Sequence, residues 1–202
     1  MATPALRRAQ HAAMQSNNAI GVLISPDSPK DKYQSLGHLA SWSVSSAKYG
    51  FGVECLYDDD PSTFWQSDGP QPHFISLHFP RRVKVQKISM YLDAGLDESY
   101  TPNKLCIRAG TTVHDLQDVR MVSFEKPIGW VTFDVLLEAD QPDAAHALDL
   151  HVLQIVIIGN YLSGKDTHVR GMLVLGPQVV EEEEEHLFPF TSAAFKMHQT
   201  IR

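Results

Sequence analysis

Cysteine is scarce. Cys55 and Cys106 are the only two in 202 residues, and they show no C-x-x-C spacing. Two thiols inside apolar segments do not make the disulfide framework of a small secreted fold, so a reducing compartment is expected. Long apolar runs are also missing. The most apolar stretch, residues 150–158, falls well short of the roughly 20 residues that carry a helix across a bilayer, so no membrane partner is expected. Clustered positive charge is absent too, since no group of cations is larger than Arg81-Arg82. Nucleic acid, whose phosphates call for a basic surface, is therefore not an expected partner. The sequence holds no G-x-S-x-G elbow and no glycine-rich phosphate loop. Its ten histidines show neither H-x-x-x-H nor H-E-x-x-H spacing. No metal, no cofactor and no catalytic residue are expected.

What is present suits one folded core with tails: 43% hydrophobic, 20% charged and 9% aromatic residues. The net charge of −7 is uneven, because Glu181, Glu182, Glu183, Glu184 and Glu185 are consecutive. Without them, 17 cations face 19 anions and the body is nearly neutral. Such a run reads as a solvated, self-repelling linker. Beyond it, Leu187, Phe188, Phe190, Phe195, Met197 and Ile201 are too many apolar groups for a tail that docks nowhere. At the other end, the first 26 residues contain no acid and carry Arg7 and Arg8 among Ala, Gln and Ser, a composition that overlaps with mitochondrial transit peptides. The turn-rich Ser25-Pro26-Asp27-Ser28-Pro29-Lys30-Asp31 favours a flexible extension instead.

From Ser41 onward the apolar pattern has period two. Ile75, Leu77 and Phe79 alternate with polar neighbours, as do Ile88, Met90 and Leu92, then Leu105 and Ile107, then Val131, Phe133 and Val135. Each set reads as a half-buried strand. Residues 150–158 are β-branched and almost continuously apolar, as for a central strand covered on both faces, and residues 172–175 close the set. Asp68-Gly69-Pro70, Ala94-Gly95, Ala109-Gly110, Ile128-Gly129 and Ser163-Gly164 punctuate the strands as turns. Many short strands without a helical period predict an all-β fold, an antiparallel β-sandwich or jelly roll. The expected organisation is an N-terminal extension at 1–35, a sandwich at 36–178, and an acidic linker and tail at 179–202.

Two loops carry more polar groups than simple connections need: Asp97-Glu98-Ser99-Tyr100-Thr101-Pro102-Asn103, and residues 160–170 with Asn160, Gly164, Asp166, Thr167, His168 and Arg170. Loops at one end of a sandwich form a supported recognition surface for an extended peptide or a sugar. The plainer reading is that Asp166, Thr167 and His168 cap and satisfy their own loop. Asp58-Asp59-Asp60 is rich in oxygen ligands but lacks the spacing of a calcium loop, and reads as a solvated turn.

Four separated motifs then point to one family. Trp42-Ser43-Val44-Ser45-Ser46-Ala47-Lys48-Tyr49-Gly50-Phe51-Gly52-Val53 is followed by Asp58-Asp59-Asp60, by Thr63-Phe64-Trp65-Gln66-Ser67-Asp68-Gly69 and by Gln71-Pro72-His73. With Asp97-Glu98-Ser99-Tyr100-Thr101-Pro102 and Gly164-Lys165-Asp166-Thr167-His168-Val169-Arg170, these resemble the DOC domain from about Leu36 to Leu175. The chain is similar to the small DOC-domain subunits of the anaphase-promoting complex, the multi-subunit ubiquitin ligase of mitosis, and the final Ile201-Arg202 adds to the likeness. The resemblance implies a galactose-binding-like jelly roll with no catalytic role of its own, present in nucleus and cytoplasm. It implies partners as well: other subunits of the complex, a β-propeller coactivator, and destruction-box substrates such as cyclins. Asp97, Glu98, Ser99, Asn160, Gly164, Asp166, Thr167, His168 and Arg170 correspond to the degron-facing loops. Asp97 and Glu98 would pair with a basic peptide residue, and Asn160, Thr167 and His168 would bond peptide backbone. Ile201 and Arg202 would anchor the chain to a tetratricopeptide-repeat scaffold. The glutamate run and the long N-terminal extension depart from the family pattern. A carbohydrate-binding module is the alternative from another functional class, because the same fold also serves sugars.

Overall fold

The computed structural model describes residues 22–136 and 147–177. In chain order its strands are β1 (Val22–Ser25), β2 (Gln34–Ser35), β3 (Ser41–Val44), β4 (Trp65–Gln66), β5 (His73–Val85), β6 (Lys87–Asp93), β7 (Pro102–Gly110), β8 (Gln117–Ser123), β9 (Ile128–Asp134), β10 (Leu148–Asn160), β11 (His168–Val169) and β12 (Gly171–Gly176). Short 3₁₀ turns are the only helical elements among the described residues. Two five-stranded antiparallel sheets, ordered β1-β9-β6-β12-β2 and β3-β5-β10-β7-β8, face each other, and β4 pairs with β11 in a small third sheet. The fold is the predicted antiparallel β-sandwich.

The two-residue periodicity becomes the core. Ile75, Leu77 and Phe79 of β5, Ile88, Met90 and Leu92 of β6, Leu105 and Ile107 of β7, and Val131 and Phe133 of β9 are all buried in one cluster. β10 lies between β5 and β7, in register at Ile155 with Ile75 on one side and Ile107 on the other. Its Leu150, Leu153, Ile155 and Ile157 complete the inner layer, and Val152 and Val156 are also buried. A β-branched strand bonded on both edges fits that central place.

Three features depart from the sequence reading. β1 and β2 precede residue 36, and β1 pairs with β9 from Val22↔Phe133 to Ser25↔Trp130. Strands of four and two residues are too short to show a period, and the surrounding turn residues mask them. Gly129 does not lie in a turn. It sits inside β9 at φ +110, where a Cβ would come within 2.6 Å of the Ser25 carbonyl oxygen, so glycine lets β1 approach. β8 escapes the period-two reading because its exposed residues Gln117, Asp118 and Ser123 are polar, as in an edge strand, and Met121 is exposed beside them. The acidic run at 181–185, Ile201 and Arg202 lie outside the described residues, as do most of the N-terminal extension and residues 137–146.

Candidate functional site

Four connections meet at one end of the sandwich: residues 45–64, 67–72, 94–101 and 161–167. The short β4–β11 ladder, with His168 opposite Gln66 and Val169 opposite Trp65, fastens two of them together. The Ser67 N–H donates to the Thr167 carbonyl at 3.1 Å, and the Thr167 N–H donates to Ser67 Oγ at 2.9 Å. Trp65 is fully buried at the base, with its indole Nε1 donating to the Ser46 carbonyl at 2.9 Å. A Trp placed this way packs the loops and offers no platform to a ligand.

Asp97 is the electrostatic centre. Its side chain is only 4% exposed. Arg170 donates Nε to Oδ2 at 2.8 Å and Nη2 to Oδ1 at 2.7 Å, a bidentate pair. Its remaining nitrogen, Nη1, donates to the Pro61 carbonyl at 3.1 Å and so reaches a third loop. His168 Nδ1 lies 3.1 Å from Asp97 Oδ1, and because a carboxylate only accepts, Nδ1 carries the proton. Burial alone pushes the Asp97 carboxyl upward, but the hydrogen bonds and charges of His168 and Arg170 outweigh it and hold it below the usual carboxylate range. Asp97 is therefore a committed anion that binds two parts of its own chain.

An aromatic column stands beside this pair. Phe51 stacks on Phe64 with centroids 4.8 Å apart, Phe64 on His168 at 4.3 Å, and His168 on Tyr100 at 4.3 Å. Arg170 Cζ lies 5.2 Å from the Phe64 centroid, and Lys48 Nζ caps Phe51 at 5.9 Å. Each stacked pair adds about 0.5–1.5 kcal/mol beyond its buried area, so the column ties the 45–64 and 94–101 connections to β11. His168 Nε2 is buried without a hydrogen-bond partner among the described residues.

The 161–167 connection is clamped from below. Asn160 Nδ2 donates to the carbonyls of Gly164 at 3.2 Å and Asp166 at 2.8 Å. His73 Nε2 and Gln71 Nε2 both donate to the Lys165 carbonyl, at 2.7 and 2.9 Å. Thr167 Oγ1 donates to the Tyr100 carbonyl at 3.3 Å, and Tyr161 N–H to the Thr101 carbonyl at 2.8 Å. A methyl group on Gly164 would overlap the Ser99 carbonyl oxygen, so glycine is what lets the two predicted loops touch.

The structure thus brings all nine predicted loop residues to one place but divides them. Asp97, Asn160, Thr167 and Arg170 are buried, and their donors and the Asp97 carboxylate are spent inside the loops. They do not face a ligand as expected, since a buried, paired carboxylate meets no peptide cation. Gly164 serves backbone packing. Glu98 is exposed, Ser99 and Asp166 are half-exposed, and His168 shows 11% of its side chain. Exposed Tyr49, Asp68, Gln71, Tyr100, Leu162 and Lys165 join them on the rim. Reasoning from sequence missed Phe51, Phe64, Tyr100 and His73 as site-builders. The signal was their place inside the quoted motifs, where aromatic residues in polar loops need a partner. The Asp58-Asp59-Asp60 turn is engaged internally: Thr63 Oγ1 donates to Asp58 Oδ2 at 2.7 Å, Ser62 N–H donates to Asp60 Oδ1 at 2.8 Å, and Lys30 pairs with Asp59.

Comparison with known proteins follows the same line. A family model described as "Anaphase-promoting complex, subunit 10 (APC10)" matches residues 7–200. Curated proteins named "Anaphase-promoting complex subunit 10" are similar to the chain. The one from Dictyostelium discoideum is 41% identical, covering 83% of this chain and 86% of that protein. The one from Schizosaccharomyces pombe is 42% identical, covering 83% and 87%. The human one is 38% identical, also covering 83% and 87%. Among solved structures, the CBM32-1 and CBM32-2 domains of Clostridium perfringens ZmpB in complex with GalNAc align with TM-score 0.63 at 11% identity, covering 78% of this chain and 40% of that one. The family 32 CBM of Clostridium perfringens NanJ in complex with galactose aligns with TM-score 0.54 at 15% identity, covering 68% and 94%. At such identity these likenesses speak for the galactose-binding-like jelly roll alone.

Proposed function

The chain belongs to the anaphase-promoting complex subunit 10 family, a non-catalytic subunit of a ubiquitin ligase, and from that premise we propose that it is a co-receptor for destruction-box degrons. It acts with a β-propeller coactivator and slows substrate release, which raises the number of ubiquitins added per encounter. The observation that carries this reading is the loop end itself. Asp97, Arg170 and the aromatic column tie the 45–64 and 94–101 connections to β11, and Ser67, Gln71, His73 and Asn160 hold the 67–72 and 161–167 connections, while Glu98, Ser99, Asp166, Lys165 and Tyr100 stay accessible. A preorganised surface spends little entropy on ordering when a short peptide arrives. Such a surface binds weakly alone and gains through effective concentration once a second receptor holds the rest of the peptide. In this reading Glu98 meets a basic peptide residue, Ser99 and Asp166 meet peptide polar groups, the exposed ring edge of His168 offers only carbon contact, and the four buried residues position them. Ile201 and Arg202 anchor the chain to a tetratricopeptide-repeat scaffold subunit, and the chain shares the nuclear and cytoplasmic location of its complex.

The carbohydrate-binding alternative rests on fold alone and is not favoured. The test is a reconstituted ligase with coactivator, assayed with and without the full chain on a destruction-box substrate at single encounter. Longer ubiquitin chains per encounter in its presence support the reading. Equal processivity, with the chain fully incorporated, overturns it.

A further inference from the structure

Four of the five non-glycine residues with left-handed φ among the described residues gather at one corner of the loop end. Glu98 (φ 46), Leu162 (φ 52) and Ser163 (φ 59) lie on two abutting turns, and Lys126 (φ 42) sets its Nζ 5.5 Å from the centroid of the Tyr161 ring. Leu162 is the anomaly. Its backbone, at φ 52 and ψ 26, is where Asn, Asp or Gly is usual and a branched aliphatic residue is disfavoured. The residue is 71% exposed, so burial within the chain does not compensate. The surroundings dictate the conformation: the Gly164 N–H donates to the Tyr161 carbonyl at 3.2 Å, Asn160 holds the Gly164 carbonyl, and Gly164 presses on Ser99. The reversal therefore has to fall at 162–163. Nothing within the fold requires leucine at the tip of it, and the strain points outward to a ligand.

We propose that Leu162 is an apolar contact for the degron at this end of the sandwich, taking an aliphatic side chain of the bound peptide while Glu98 on the abutting turn takes a basic one. The proposal rests on the co-receptor reading.

The test uses the full chain in the reconstituted ligase with coactivator. It follows the release of a fluorescent destruction-box peptide and of the same peptide with its aliphatic side chains cut to alanine. Leu162→Gly and Leu162→Asn both suit the left-handed backbone. Each should raise the melting temperature of the isolated chain by a few degrees and speed release of the intact peptide about five- to tenfold. Leu162→Met, which keeps an apolar group, should release at close to the parental rate. The effect of Leu162→Gly should vanish on the alanine peptide. Unchanged release of the intact peptide, equal acceleration on both peptides, or a lower melting temperature for both Leu162→Gly and Leu162→Asn would each overturn the proposal. If omitting the chain altogether leaves release unchanged, the co-receptor reading itself fails and Leu162 falls with it.

Discussion

Arg170 and Asp97, 73 residues apart, form a bidentate ion pair with donor distances of 2.8 and 2.7 Å and side chains 9% and 4% exposed. Charges so placed have given up most of their hydration, and each is tolerated only because the other is present. The pair joins the turn after β6 to the start of β12, and through the Pro61 carbonyl it also holds the acidic turn. Asp97 is buried and paired within its own chain, where it ties the loop end together.

Removing one partner should cost far more than removing both. Asp97→Ala strands a buried guanidinium and is expected to lower stability by about 3–5 kcal/mol, whereas Asp97→Leu with Arg170→Met should recover most of that loss. Urea melts of the parent, the single variant and the double variant check the coupling, and a double variant that loses at least as much as the single one would show that the two charges are independent.

Acid should expose the same pair. The folded Asp97 carboxyl titrates below its unfolded value, near 3.9, so its stabilisation is present above that value and is lost as pH falls through it toward the folded one. The parent is expected to lose more stability between pH 5 and pH 3 than Asp97→Asn. Asp60 and Asp115 are lowered as well, but both are exposed and present in both proteins, so the difference isolates Asp97. Parallel pH profiles in thermal melts would count against this account.

Gly164→Ala should destabilise the domain by about 1–3 kcal/mol, because the added methyl overlaps the Ser99 carbonyl and the loops must separate. Differential scanning calorimetry and peptide release should change together. A neutral variant would mean that the two turns slide apart freely.

Rim and interior should separate in their readouts. Glu98→Gln and Lys165→Ala alter exposed groups and are expected to shift processivity with a change in stability within about 0.5 kcal/mol. Thr167→Ala, fully buried with Oγ1 on the Tyr100 carbonyl, should lower stability by about 1–2 kcal/mol. Processivity assays beside thermal melts distinguish the two classes.

Deleting Ile201 and Arg202 should weaken recovery of the repeat scaffold in affinity purification and leave the melting temperature of the domain unchanged. A lower melting temperature would show that the tail packs on its own core.

The all-β architecture is legible because the long core strands carry it in their residue order: β5, β6, β7 and β9 alternate at period two, and β10 is a continuous β-branched run. Short elements are not. β1, β2, β4 and β11 have two to four residues each and exist because a neighbour supplies their hydrogen bonds. The candidate loops were found from their polar density, but polar density does not say which groups point inward. Asp97 and Glu98 are adjacent acids with the same loop composition around them, and one is buried while the other is exposed.

Sequence alone determined the strand pattern, the family likeness and the two loops that matter, because these depend on residue order and local periodicity. Only the tertiary structure decided that Arg170 neutralises Asp97, that His168 stands between Phe64 and Tyr100, and that Gly164 fits under Ser99. Those contacts span up to about a hundred residues of chain, and no local preference sets them. They form when the two sheets close and bring four loop ends within hydrogen-bond reach.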